Sequence, residues 1–152
     1  MRFWRICRRR YAARAATGEG ARLYGGRWNS RGVSVVYASS SLALAAIETF
    51  VNLEPKFLPK DLVSTEGQIP DDVEIARLDL KRLPKNWRRS RDESLQRLGD
   101  EWIVASKTVA LTVPSAPIAN EWNVLLNPAH QDFRRVSFEQ PRPFQFDPRM
   151  LR

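Results

Sequence analysis

An arginine, a tyrosine and a glutamate stand near one another in this chain, at positions where their chemistry is hard to place by accident. Arg27 follows the pair Gly25-Gly26, where backbone can approach a ligand closely. Its guanidinium can hold a phosphate through two parallel hydrogen bonds. Tyr37 ends the apolar run Val33-Ser34-Val35-Val36; its ring serves either a core or a wall on which a flat heteroaromatic stacks. Glu48 is the one carboxylate in the run that begins Ser41-Leu42-Ala43-Leu44. A cation, a phenol and a sequestered acid suit a ligand with phosphates, an aromatic ring and a developing positive charge. Each residue also has a plain structural reading: a surface arginine, a core ring, a buried ion pair.

The elements that would position them can be read from periodicity. Residues 3–6 read as a first strand, and residues 17–32 as a glycine-rich irregular stretch. Residues 33–38 form a β-branched run expected to be a buried strand. Ser39, Ser40 or Ser41 can cap a helix reaching about Asn52, ended by Pro55 and Pro59. In that helix Glu48 has Leu44, Ala45, Val51 and Asn52 three and four positions away. An unpaired acid on such a face is costly, so it needs partners or a purpose.

Further along, residues 73–80 read as a strand and the segment from Pro84 to Arg91 as a basic loop around Trp87. Leu95, Leu98, Trp102 and Ala105 share one helical face in a helix from about Asp92 to Ser106. Residues 109–113 form a strand stopped by Pro114-Ser115-Ala116-Pro117, which holds the Ser115 hydroxyl in a fixed place. Residues 123–126 form another strand. Asn127-Pro128 fits the cap and first position of a short helix. Residues 136–138 and 144–146 are expected to close the sheet. Strands and helices mix without regular βαβ alternation, so the expected fold is one α+β domain with mostly antiparallel sheet.

Composition narrows the chemistry. The 152 residues carry a net charge of +8, which favours anionic partners: nucleotides, nucleic acid or an acidic protein. Six arginines precede Arg22, at positions 2, 5, 8, 9, 10 and 14, before any acid. An Arg-rich, acid-poor start suits a transit peptide, but Phe3-Trp4-Arg5-Ile6 reads as core strand. One cysteine, Cys7, suits a reducing cytosol. One histidine and one cysteine do not make a protein-only zinc site. No apolar run approaches the ~18 residues of a membrane span. Neither a phosphate loop, a complete dinucleotide fingerprint nor an HExxH pair is present. A Ser-His-Asp hydrolase would have to use His130 with Ser115, which does not sit in a nucleophile elbow.

The order Gly-Arg-Trp-Asn at 26–29, Val-Tyr-Ala-Ser at 36–39, Ala-x-x-Glu at 45–48, Val-Pro-Ser-Ala at 113–116 and Leu-Asn-Pro-x-His at 126–130 resembles the RES domain, over about Phe3 to Val136. The resemblance implies an ADP-ribosyltransferase-like fold. It implies a cytoplasmic toxin, paired with an Xre-type helix-turn-helix antitoxin, that consumes NAD+ as substrate by hydrolysis or phosphorolysis or transfers its ADP-ribose to a protein. Site residues carried over are Arg27, Tyr37, Glu48 and Ser115, with Asn127 a further family position and Arg5 the basic residue of the first strand. In that reading Ser115 would hydrogen-bond the nicotinamide amide or the ribose. Contact with DNA would run through the antitoxin. The competing reading is a basic nucleic-acid-binding or RNA-cleaving module, favoured by the charge, the five tryptophans and the Lys85–Arg91 segment.

Overall fold

A computed structural model describes residues 1–54, 56–89 and 91–151. Its elements in chain order are β1 (Arg2–Arg8), α1 (Glu19–Tyr24), β2 (Val36–Ser39), α2 (Leu42–Phe50), β3 (Leu62–Gln68), β4 (Ile75–Arg77), α3 (Glu93–Ala105), β5 (Ala110–Pro114), β6 (Trp122–Leu126), β7 (Ser137–Phe138) and β8 (Arg142–Phe144). Among the described residues these strands form one eight-stranded sheet of order β4-β5-β6-β2-β1-β3-β7, with β8 also on β3. Only the β4–β5 pair is parallel. The α+β, mostly antiparallel expectation therefore holds.

Two core clusters lie on opposite faces, because successive strand residues alternate. On β6, Val124 and Leu126 join Phe3, Val36 and Ala38, while Leu125 joins Trp28, Leu111, Val113 and the buried face of α3. Leu95, Leu98 and Trp102 supply that face, as the periodicity predicts, but Ala105 stays exposed. Asp92 caps α3 through the Leu95 N–H at 3.1 Å. Gly99 lets α3 approach closely: a Cβ there would fall 1.7 Å from the Trp28 carbonyl oxygen.

The sheet has a seam. β1 pairs with β3 over seven positions, Arg2 through Arg8, yet with β2 at one, Trp4 opposite Ser39. The strands diverge on either side of that pair. This seam is where a cleft opens.

Several local expectations need correction. Residues 17–32 are not wholly irregular, since α1 forms between Gly18 and Gly25, both at positive φ. β3 has no counterpart in the sequence reading; Ser64, Thr65, Glu66 and Gly67 disguise it, although β1 pairs with all of it. Residues 73–80 give only the short β4, with Asp79 then capping a 3-10 turn over Leu80–Arg82. The short helix after β6 spans Gln131–Arg135 and is capped by His130, not Asn127. α2 ends at Phe50, ahead of Pro59; Pro55, like Ser90 and Arg152, lies outside the described residues.

Candidate active site

The seam between β1 and β2 opens into a cleft of about 560 Å³ whose lining includes Arg5, Arg27, Tyr37, Glu48, Arg91 and Asn123. Glu48 reaches it from α2, a helix begun by Ser41, whose hydroxyl oxygen accepts the Leu44 N–H at 3.1 Å. Leu44 and Ala45 bury the inner face of that helix. One turn on, Glu48 is half-buried, not sealed in an apolar face. Two donors hold its Oε1: the Ser115 hydroxyl at 2.7 Å and the Asn123 side-chain amide. Oε2 takes no hydrogen bond among the described residues. The carboxylate is thus anchored by one oxygen and presents the other.

Each anchor is itself held. Ser115 is fully buried, and its oxygen accepts the Ile118 N–H at 3.1 Å. Its hydroxyl meets the cleft through Glu48, not through any surface of its own. Asn123 Oδ1 accepts the Ser39 hydroxyl at 2.7 Å. Asn123 does not stand out in the sequence, and Ser39 stands out only as a cap candidate, a role Ser41 takes, and as the end of the motif at 36–39. The available signal is a single asparagine inside the apolar strand run Trp122-Asn-Val-Leu-Leu126.

Tyr37 is locked by its hydroxyl. The oxygen donates to Asn29 Oδ1 at 2.7 Å and accepts the Trp28 N–H at 3.0 Å. Burial raises its pKa well above the ordinary phenol value, against the opposing pull of the Trp28 hydrogen bond. The phenol therefore stays protonated, and the ring is what it offers the cleft. Asn29, fully buried, secures the loop by donating to the carbonyls of Ala21, Ser30 and Val33.

The loop carrying Arg27 is clamped from α3. Gln96 donates to the Gly26 carbonyl at 3.1 Å, and Asp100 accepts the Ser30 N–H at 3.0 Å and hydroxyl at 2.6 Å. Arg27 Nη1 donates to the Trp87 carbonyl at 2.8 Å. Burial lowers its pKa from the ordinary value, Arg91 adds to that, and Glu48 opposes it. Arg5 bridges the seam from β1, donating from Nη1 to the Tyr37 carbonyl at 2.7 Å. Its buried Nε has no hydrogen-bond partner among the described residues, and burial again lowers its pKa. Four arginines, Arg5, Arg14, Arg27 and Arg91, line the cleft with two carboxylates, Glu48 and Glu19. Arg14 pairs with Glu19 at 3.1 Å, and the excess of positive charge suits an anion.

Asn127 is not brought to the cleft. It lies past the other end of β6 from Asn123, about 13 Å away at the usual strand rise. There its Oδ1 accepts the Ala129 N–H at 3.0 Å and its own N–H donates to the Val109 carbonyl at 2.8 Å. His130, needed for a Ser-His-Asp or RNA-cleaving site, is buried, and its Nδ1 accepts the Asp132 N–H at 3.0 Å. Among the described residues no three or more His, Cys, Asp or Glu side chains cluster as a metal site would require.

Comparison with known proteins gives this arrangement a context. The RES domain model matches residues 2–147. A protein of Sphingobium sp. (strain YBL2) named "Prs ADP-ribosylating toxin" is 38% identical over 99% of this chain and 96% of its own length. One of Yersinia enterocolitica named "Toxin Res" is 38% identical over 99% of both chains. Among solved structures, a chain from the M. tuberculosis MbcT–MbcA toxin–antitoxin complex superposes with a TM-score of 0.69 at 16% identity, over 99% of this chain and 86% of that one. The chain shares the fold of that neighbour, and by both the family match and its relatives it belongs to the RES domain family.

Proposed function

We propose that this protein is the toxin of a toxin–antitoxin pair and that it breaks the nicotinamide–ribose bond of NAD+. The observation that carries the reading is Glu48, anchored through Oε1 and presenting Oε2 in a cleft ringed by Arg5, Arg27 and Arg91. When the C1′–N bond breaks, its electron pair leaves with nicotinamide, which departs neutral and needs no proton. The ribose left behind becomes oxocarbenium-like. A carboxylate fixed beforehand stabilises that charge without having to reorganise. Oε2 of Glu48 is the oxygen placed for this role, and for the ribose hydroxyls.

The other side chains bind and orient. Arg27 and Arg5 take the pyrophosphate. The Tyr37 ring packs against nicotinamide, its hydroxyl being engaged by Trp28 and Asn29. Ser115 and Asn123 act on Glu48 and so set the angle of its carboxylate. Family membership and the toxin names of relatives 38% identical support this reading. The relative named for ADP-ribosylating Prs favours a protein side chain as acceptor of the ADP-ribose over water or phosphate. The likeness to a chain of a toxin–antitoxin complex supports an antitoxin partner, which we take to be an Xre-type helix-turn-helix protein. The NAD+ consumed would be that of the cytoplasm; no described helix is long and apolar enough to cross a membrane.

The test is product analysis. Incubation with NAD+ should release nicotinamide, and ADP-ribose labelled on its adenosine should appear on protein when cell extract is supplied. Free ADP-ribose alone would indicate water as acceptor, and a phosphorylated ADP-ribose formed only in phosphate buffer would indicate phosphate. Absence of nicotinamide release under all these conditions would refute the assignment.

A further inference from the structure

A second cleft, of about 620 Å³, is used by none of the steps above. It lies where β4, β5 and β6 end and where the basic loop around Trp87 folds over them. Arg77, Lys85, Trp87, Arg88, Glu121 and Trp122 line it. Its size falls in the range of small-molecule sites.

The side chains there are arranged for an anion joined to a flat ring. The Arg77 guanidinium carbon lies 3.7 Å from the centre of the Trp122 ring, and that of Arg88 5.5 Å from the Trp87 ring. A guanidinium stacked on one face keeps its in-plane donors for a phosphate. Three basic groups face one acid, Glu121, and none of the ion pairs among the described residues uses Arg77, Lys85 or Arg88. Trp87 packs on the core beside Trp28, and the half-buried Trp122 and three like charges complete the cleft. The cleft also adjoins the first one. Trp87 lends its carbonyl to Arg27, and Pro114 lines both clefts.

We propose that this second cleft binds a phosphorylated nucleoside, its base taking the place of the exposed Arg88 guanidinium on the Trp87 indole and its phosphates across Arg77 and Lys85. Equilibrium dialysis with ADP tests this on the intact chain. The Arg77→Ala/Lys85→Ala double variant should bind one ADP fewer per chain than the wild type. Its breakdown of NAD+ should stay within about twofold of wild type, since neither residue touches the first cleft. Inorganic pyrophosphate should bind the lost site about 5- to 150-fold more weakly than ADP, because base stacking on an aromatic side chain is worth ~1–3 kcal/mol. Equal ADP stoichiometry in the two proteins would overturn the proposal. So would pyrophosphate binding there as tightly as ADP. A single-stranded oligonucleotide that binds this cleft more tightly than ADP would replace it with a nucleic-acid surface.

Discussion

Asn123 and Glu48, 75 residues apart, are joined by a hydrogen bond from the asparagine amide to the carboxylate. An ionised carboxylate only accepts, so the amide nitrogen must face Glu48 and the amide oxygen must face Ser39. The Ser39 hydroxyl, 2.7 Å away, is then obliged to donate. The carboxylate thereby fixes which end of Asn123 meets it, and the buried Ser39 on β2 holds the other end in place. Ser115 reaches the same oxygen from the end of β5. The orientation of Glu48 is a property of three strands and one helix, not of α2 alone.

Asn123→Ala and Ser39→Ala should follow from that chain in graded order. Asn123→Ala removes a direct donor and should lower kcat for NAD+ breakdown by about 10–100-fold, since small misplacements of a reacting group cost up to ~10²-fold. Ser39→Ala leaves the amide oxygen without its donor and holds the side chain less firmly, so it should cost less. Steady-state kinetics checks both, with KM expected to move little. A kcat for Asn123→Ala equal to wild type would remove Asn123 from the site.

Gly26→Ala probes the support of Tyr37. The added Cβ would fall 2.6 Å from the Tyr37 hydroxyl oxygen and 2.8 Å from Asn29 Oδ1, both closer than atoms tolerate. The phenol must move, and two buried hydrogen bonds go with it. Thermal denaturation should show a loss of about 1–3 kcal/mol, together with a rise in KM for NAD+ as the ring leaves its place. A crystal structure of the variant with Tyr37 unmoved would contradict this.

Tyr37 also predicts behaviour in alkali. A hydroxyl whose folded pKa is raised is protonated in the folded chain when the unfolded chain already ionises. Its contribution to stability is full below the ordinary tyrosine value of about 10 and is lost as pH rises above that toward the folded value. The wild-type Tm should fall as pH rises above about 10, and the Tyr37→Phe variant should fall less steeply. At neutral pH the order reverses. The variant leaves the Trp28 N–H and Asn29 Oδ1 without their partner, at a cost of ~1–3 kcal/mol. Parallel slopes for the two proteins in alkali would show that Tyr37 titrates normally.

The chain announces its site unevenly. Glu48 is legible because a carboxylate in a small-residue apolar helix is conspicuous, and Ser115 because two prolines fix it. Helix α3 is legible through the spacing of Leu95, Leu98 and Trp102, all buried. β3 is not, because it alternates poorly and carries Gly67 where the Phe3 ring leaves no room for a Cβ. Asn123 is hidden for a related reason: within a strand one polar residue reads as noise until the fold shows which carboxylate it meets. Asn127 shows the converse. It stands in the pattern by which the family resemblance is read, yet in the fold it pins a turn at the far end of β6. Pairing partners far apart in sequence decide these cases, and no local pattern encodes them.

The central claim rests on the charge of Glu48, and Glu48→Gln tests it with the least disturbance. The glutamine carbonyl can still accept from Ser115 and Asn123, but the group turned toward the cleft becomes an amide that cannot stabilise an oxocarbenium-like ribose. Nicotinamide release should fall by about 10²–10³-fold or more, the usual cost of losing one electrostatic stabiliser of a transition state, while the Kd for NAD+ changes only severalfold. Release at a near wild-type rate from a correctly folded Glu48→Gln protein would contradict the account.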